Sequence, residues 1–227
     1  MGSDDIFKKR KKAAEERKRE LRTPKPNSFL IVSEGAKTEP LYFDGLAKHI
    51  EERFGSGVDV KKPIIETCGE GKCTVSLVHA AGKIVNQAHI MYENIWIVFD
   101  KDDFDDFDEA IDLAKKLGFK TAWSNQSFEY WLYLHFDYMV SALHRNDVVK
   151  KLDEKFKDLG VRENGYEKNL PNIFELVTTY GSLKTAISNA KRVEKTYREG
   201  TAPSRCWPCT KVHDLILELK PFLDDLM

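Results

Sequence analysis

The apolar run Ile95-Trp96-Ile97-Val98-Phe99 ends abruptly in Asp100-Lys101-Asp102-Asp103, and few architectures accommodate that junction. A continuous apolar run rich in β-branched and aromatic residues reads as a strand buried in a parallel sheet, and open α/β sheets gather their chemistry at the carboxyl ends of such strands. Asp100 stands at that end. Asp102 lies two residues on, so in an extended chain both carboxylates leave from one side and can converge on a hard cation such as Mg²⁺. The other reading is an acidic surface turn, since acids continue through Asp105, Asp106 and Asp108. Without a counter-cation, Asp100, Asp102 and Asp103 would repel one another.

A second carboxylate occupies a matching place. Ser28-Phe29-Leu30-Ile31-Val32-Ser33 reads as a short strand, followed by Glu34-Gly35-Ala36-Lys37-Thr38-Glu39-Pro40 and a helical pattern over Leu41 to Arg53. Gly35 permits a tight strand-to-helix turn, Thr38 can cap the helix, and Pro40 suits its first turn. If the two strands lie side by side and parallel, Glu34, Asp100 and Asp102 face one pocket.

The remaining periodicity supports this arrangement. A β-like run covers Val58 to Thr67, Thr74 caps a helix through Val85, Ala110 to Leu117 is helical, and Phe119 to Trp123 is a further strand. This alternation predicts an α/β fold with a mainly parallel sheet covered by helices on both faces. Ser127 to Phe136 reads as a helix apolar nearly all round, hence buried, with Glu129 as its exception. A carboxylate there requires a cation or hydrogen-bond donors. Asn125 shares its face if the helix begins that early; alternatively, Asn125 and Glu129 merely cap and brace the helix. His135 is a supporting candidate that could equally be a hydrogen-bonded core histidine.

The C-terminal third reads as helices over Val148 to Leu159, Asn172 to Tyr180, Leu183 to Arg198 and Thr210 to Leu219. In the third of these, Lys184, Lys191, Lys195 and Arg198 recur at helical spacing opposite Ala186, Ile187, Ala190 and Val193. Such a stripe is either a solvated face or a surface for substrate phosphates. His213 falls off the apolar stripe of the last helix, which leaves a polar or catalytic setting open.

The formal net charge of -1 conceals an asymmetry: residues 1–25 hold ten Lys/Arg against five Asp/Glu, leaving a net of -6 elsewhere. The arm from Lys8 through Arg22 has almost no apolar stripe, so it is read as a solvated extension or as a tether to phosphates. No apolar run approaches the length needed to cross a bilayer, and no secretory signal stands at the N-terminus, which points to the cytoplasm. Cys68, Cys73, Cys206 and Cys209 could supply thiolates to zinc, but their spacing does not favour it, and reduced thiols are the default expectation. The Gly-rich stretch Cys68 to Thr74 lacks P-loop spacing, so ATP binding there is not expected.

A Glu-Gly after the first strand and an Asp-x-Asp after a later one resembles a Toprim catalytic domain. More specifically, the chain from about Phe29 onward resembles the RloB family. The matching stretches are Ile31 to Gly35 with Lys37 to Pro40 and Tyr42-Phe43, Trp96 to Phe104, Trp123 to Phe136, Ala186 to Arg192, and Thr210 to His213. Gln126-Ser127 departs from the family's usual Pro-Cys, and Cys206 to Cys209 replaces Pro and small polar residues. With the charge-defined basic arm over 1–26, the resemblance implies a Toprim-like catalytic core over 27–140 and a helical part over 141–227 packed on that core. It also implies a metal-dependent nuclease for RNA or DNA, serving anti-phage defence with an ATPase partner; tRNA is a substrate suggested by related effectors.

On that reading Mg²⁺, or Mn²⁺ in its place, is held by Asp100, Asp102 and Glu34 or Asp103. Glu34 acts as general acid or base, and Lys101 or Lys191 neutralises phosphate oxygens. Glu129 and His213 are further catalytic candidates. The competing reading is a non-catalytic module that docks on nucleic acid or on a partner.

Overall fold

The computed structural model describes residues 24–54, 64–69, 74–101 and 105–227. Among them, the strands are β1 (Lys25–Ser33), β2 (Ile64–Gly69), β3 (Tyr92–Asp100), β4 (Lys120–Asn125) and the two-residue β5 (Cys209–Thr210). They form one sheet in the order β2-β1-β3-β4-β5, parallel except for β5. The helices between strands are α1 (Thr38–Phe54), α2 (Thr74–Gln87) and α3 (Phe107–Lys116). Then come α4 (Phe128–Leu134), α5 (Arg145–Asp158), α6 (Ile173–Thr179), α7 (Leu183–Glu194) and α8 (Val212–Glu218).

The side-chain alternation of a strand sorts the core into two layers. Phe29 and Ile31 of β1, with Trp96 and Val98 of β3, point to the face covered by Tyr42, Phe43, Leu46 and Ile50 of α1 and by the C-terminal helices. Leu30, Val32, Ile97 and Phe99 point to the opposite face, against Leu77 and Val78 of α2 and Phe107, Ala110 and Ala114 of α3. Chain direction explains this sorting. β1 to β2 runs one way along the sheet, and β2 to β3 crosses back over β1. Right-handed crossovers therefore place α1 and α2 on opposite faces. The crevice opens where the direction reverses, between the carboxyl ends of β1 and β3.

Local sequence sets the helix ends. Asp108 and Glu109 sit in the first turn of α3 and Lys115 and Lys116 in its last, matching the helix dipole, and Gly118 takes the left-handed φ of 76° that ends it. Where α1 packs against α4 and α6, Tyr42 meets Phe128 of α4 and Phe174 of α6 edge-on, with ring centroids 5.4 and 5.3 Å apart. Each such buried ring contributes about 2 kcal/mol by burial. Phe128, which Tyr42 and Phe43 of α1 both touch, anchors the start of α4.

Several expectations shift. The strand read over Val58 to Thr67 is β2, Ile64–Gly69, and residues 58–63 lie outside the described residues. α4 starts at Phe128, so Asn125 ends β4 and is not on the helix of Glu129. α7 ends at Glu194 with Lys195 as its C-cap, so Arg198 lies beyond the helix and the basic stripe is cut short. Thr210 belongs to β5, paired with Ser124, and α8 begins only at Val212. The basic arm from Lys8 to Arg22 lies outside the described residues. Among those described, no helix is long and apolar enough to cross a membrane.

His135 is buried in this layer. Its Nδ1 lies 3.1 Å from the Trp131 carbonyl, which can only accept, so Nδ1 carries the proton and Nε2 accepts from the Tyr42 hydroxyl at 3.3 Å. Burial lowers its pKa from 6.5 to about 4. This is a neutral core histidine. Between those values the unfolded chain binds the proton and the folded one does not, so stability is retained above pH 6.5 and lost as pH falls toward 4. In denaturant titrations of the metal-free protein, wild type should therefore lose up to about 1.4 kcal/mol per pH unit more than His135→Gln across that window. Equal slopes in the two proteins would contradict the assignment.

Candidate active site

Glu34 leaves β1 at the point where its backbone N–H donates to the Val98 carbonyl of β3, at 2.8 Å. Its Oε2 in turn accepts the Asp100 backbone N–H at 3.3 Å. Two strand-terminal acids are thereby joined across the switch point. Asp100 lies on the α1 face of the sheet, and its Oδ2 accepts the Phe128 N–H at the start of α4, at 3.0 Å.

A cavity of about 540 Å³ opens over these residues, its wall including Glu34, Glu39, Asp100, Ser127 and Glu129. Glu39 and Glu129 are buried. Gly35 makes room for Glu39, because a Cβ at this position would lie 2.0 Å from the Glu39 carboxylate. Glu129 Oε1 is met by the Tyr166 hydroxyl and by Lys168 Nζ, each at 3.3 Å. Lys37, Arg145 and Lys168 complete a basic rim.

The electrostatics oppose charge here. Burial, followed by repulsion from Glu39, Glu129 and Glu34, pushes the Asp100 carboxyl well above the usual range, while the Phe128 N–H works against that rise. Burial likewise raises Glu39, and Glu129 adds to the effect. The hydroxyl of Ser127 is buried at the cavity wall with no hydrogen-bond partner. Crowded carboxylates with an unsatisfied hydroxyl beside them are a hard-oxygen donor set, the chemistry that suits Mg²⁺ or Mn²⁺. Among the described residues, however, no three His, Cys, Asp or Glu side chains close into a ligand cluster. Asp102 and Asp103 lie outside the described residues.

The other candidates stand elsewhere. Lys101 is one residue from Asp100 but lines a neighbouring cleft. Asn125 braces the loop before β5, its amide donating to the carbonyls of Pro203 and Ser204 at 3.2 and 3.1 Å. His213 is buried between α7 and α8, with Nδ1 3.0 Å from the Thr210 carbonyl and Nε2 3.3 Å from both Glu194 and Asp214. Burial lowers its pKa although those acids pull the other way. Lys184, Lys191 and Lys195 are exposed on α7 and at its end, as is Arg198 beyond it, and none lines the carboxylate cavity. Cys206 and Cys209 are free buried thiols, and burial pushes Cys209 up to about 12. The Cys68 side chain and Cys73 lie outside the described residues.

Glu39 is the site residue that sequence reasoning missed. An acid in the first helical turn reads as a partner of the helix dipole, and only the fold of the Gly35 turn reveals that it is buried against other carboxylates.

The model of the RloB-like protein family matches residues 29–219, which takes in both acid-terminated strands, the buried helix α4 and the C-terminal helices. Among curated proteins and among solved structures, none matches the chain. With most of its length matched in order, the chain belongs to the RloB-like protein family.

Proposed function

We propose that the protein is a Toprim-type, metal-dependent nuclease that cuts phosphodiester bonds in RNA or DNA. The observation that carries this reading is the contact of Glu34 with the Asp100 backbone at the switch point of the sheet, beneath a cavity shared with Glu39 and Glu129. Glu34 and Asp100 would hold Mg²⁺ or Mn²⁺ together with Asp102 and Asp103, the further donors read from the sequence. When bound, the ion supplies Lewis-acid polarisation of the phosphoryl oxygens and stabilises charge on the leaving oxygen. Glu34 exchanges the proton of the attacking or leaving oxygen at its carboxylate. Lys37, Arg145 and Lys168 offset the acidic charge at the rim, where a polyanion would otherwise be repelled.

The wider setting is taken from the family resemblance: a toxic effector in anti-phage defence, working with an ATPase partner, with tRNA among its RNA substrates. The runner-up reading is a non-catalytic binding module, in which Glu129 is satisfied by Tyr166 and Lys168 rather than by a cation. Incubation with a pool of tRNA, other RNA and DNA separates the two. The nuclease cuts at least one of them with Mg²⁺ or Mn²⁺ and stops with a chelator, whereas the module cuts none.

Glu34→Gln keeps the size of the side chain and removes its proton-transfer capacity, so cleavage should fall by roughly 100-fold or more with the circular dichroism spectrum unchanged. A variant that cuts at the wild-type rate would refute the acid/base role.

Asp100→Asn removes one of the clustered charges while keeping an acceptor for the Phe128 N–H. In chelator it should stabilise the protein by on the order of 1 kcal/mol, a Tm rise of about 2–4 °C. Added Mg²⁺ should raise the Tm of wild type and leave that of the variant unmoved. The reverse pattern would show that the carboxylates are not a metal site.

Lys191 and Lys195, exposed at the end of α7, are proposed to hold the nucleic-acid backbone away from the cut, together with the basic arm. Neutralising both should weaken binding across sequences and flatten log K against log salt by about 1–2 in slope. An unchanged slope would return them to an ordinary solvated face.

A further inference from the structure

A second cleft, of about 430 Å³, adjoins the carboxylate cavity and is lined by Lys101, Asn125, Gln126, His144, Arg145 and Trp207, among others. Arg145 lines both, and Lys101 follows Asp100 directly in the chain. The size is within the range of small-molecule sites, roughly 300–1,000 Å³.

Trp207 is 40% exposed, whereas Trp96, Trp123 and Trp131 are buried. Its indole N–H already donates to the Leu143 carbonyl at 2.9 Å, so what it offers the cleft is aromatic carbon. The wall beside it is rigidly held. Ser204 is bound through its backbone and hydroxyl to Asp108 of α3 at 2.9 and 2.6 Å, and Asn125 grips the carbonyls of Pro203 and Ser204. Gln126 takes a φ of 143°, a strained backbone for a non-glycine residue, which the packed junction of β4 and α4 maintains. His144 accepts the Asn146 N–H at Nδ1, so its neutral form carries the proton on Nε2 as a donor.

An aromatic carbon surface held in place among Lys, Arg and a His donor matches one nucleotide: a base face on the ring and a phosphate on the cations. We propose that this cleft is a subsite for one unpaired nucleotide next to the cut, which makes single-stranded or looped nucleic acid the substrate class. The proposal deepens the nuclease reading and takes from it only the location of the cut. A paired base cannot serve, because both of its faces are already stacked in the duplex.

The test uses fluorescein-labelled oligonucleotides of about 12 residues, RNA and DNA, each single-stranded and in duplex with its complement, on the full chain in chelator. Single strands should bind more tightly than duplexes and quench tryptophan fluorescence. Trp207→Leu should weaken single-strand binding roughly 5- to 100-fold and leave duplex binding nearly unchanged, while Trp207→Phe, which keeps a ring, retains most of the affinity. Folded Trp207→Leu with wild-type affinity would overturn the subsite. If that variant fails to fold, absence of quenching in wild type, or no preference for single strands, overturns it instead. The RNA and DNA arms identify the sugar preferred. A protein that binds single strands through Trp207 yet cuts nothing with Mg²⁺ or Mn²⁺ would sink the nuclease reading alone, and one that cuts but ignores Trp207 would sink the subsite alone.

Discussion

Everything distinctive about this fold depends on β1 and β3 being hydrogen-bonded neighbours. The register pairs Val32 with Ile97 and Ser33 with Val98, which brings both strands to their ends together and allows the Glu34 carboxylate to reach the Asp100 N–H. Slippage by one residue would reverse which side chains face α1 and which face α2, so two separate apolar layers hold that register. The core thus acts at a distance on the acids. The reversal of strand order also keeps α1 and α3, which follow β1 and β3, from covering the crevice, because they leave on opposite faces.

Within the crevice, packing and electrostatics work against each other. The aromatic contacts of Tyr42 and Phe43 with Phe128 anchor α4, and α4 carries Glu129 into the buried layer while directing the Phe128 N–H at Asp100. The same packing removes water from the carboxylates and raises Asp100 and Glu39. Lys168 compensates little, since it is largely exposed and its pairing with Glu129 is screened by solvent. A sequence under selection for stability alone would neutralise such a cluster. On the proposed reading, that electrostatic cost is offset by a bound cation.

The strands were legible because buried parallel strands leave continuous apolar runs, and the acids after β1 and β3 were legible because a charge that ends such a run is conspicuous. Asn125 was misplaced for a specific reason. The backbone turns sharply at Gln126, and helical periodicity cannot register a single residue with positive φ. β5 was missed because two residues carry no period, although they anchor the C-terminal part to the sheet through Ser124 and Thr210. The basic stripe was overextended past Glu194, because lysines and arginines continue at similar spacing after the helix has ended. His213 and His135 show the limit of type-based reasoning: both are buried, and only their partners distinguish a core histidine from one among ion pairs.

The placement of charge then separates holding a substrate from acting on it. On the proposed nuclease reading, an acidic cavity floor would repel a polyanion, so affinity would come from the rim, where Lys37, Arg145 and Lys168 stand, and from the adjoining cleft with Lys101 and Trp207. Arg145, the first residue of α5, lines both spaces and is set there by the N-terminus of a helix whose Val148, Leu152 and Phe156 are locked in the core. Under the proposed reading, the rim and cleft would therefore position a phosphate while the acids beneath them serve proton transfer or cation binding.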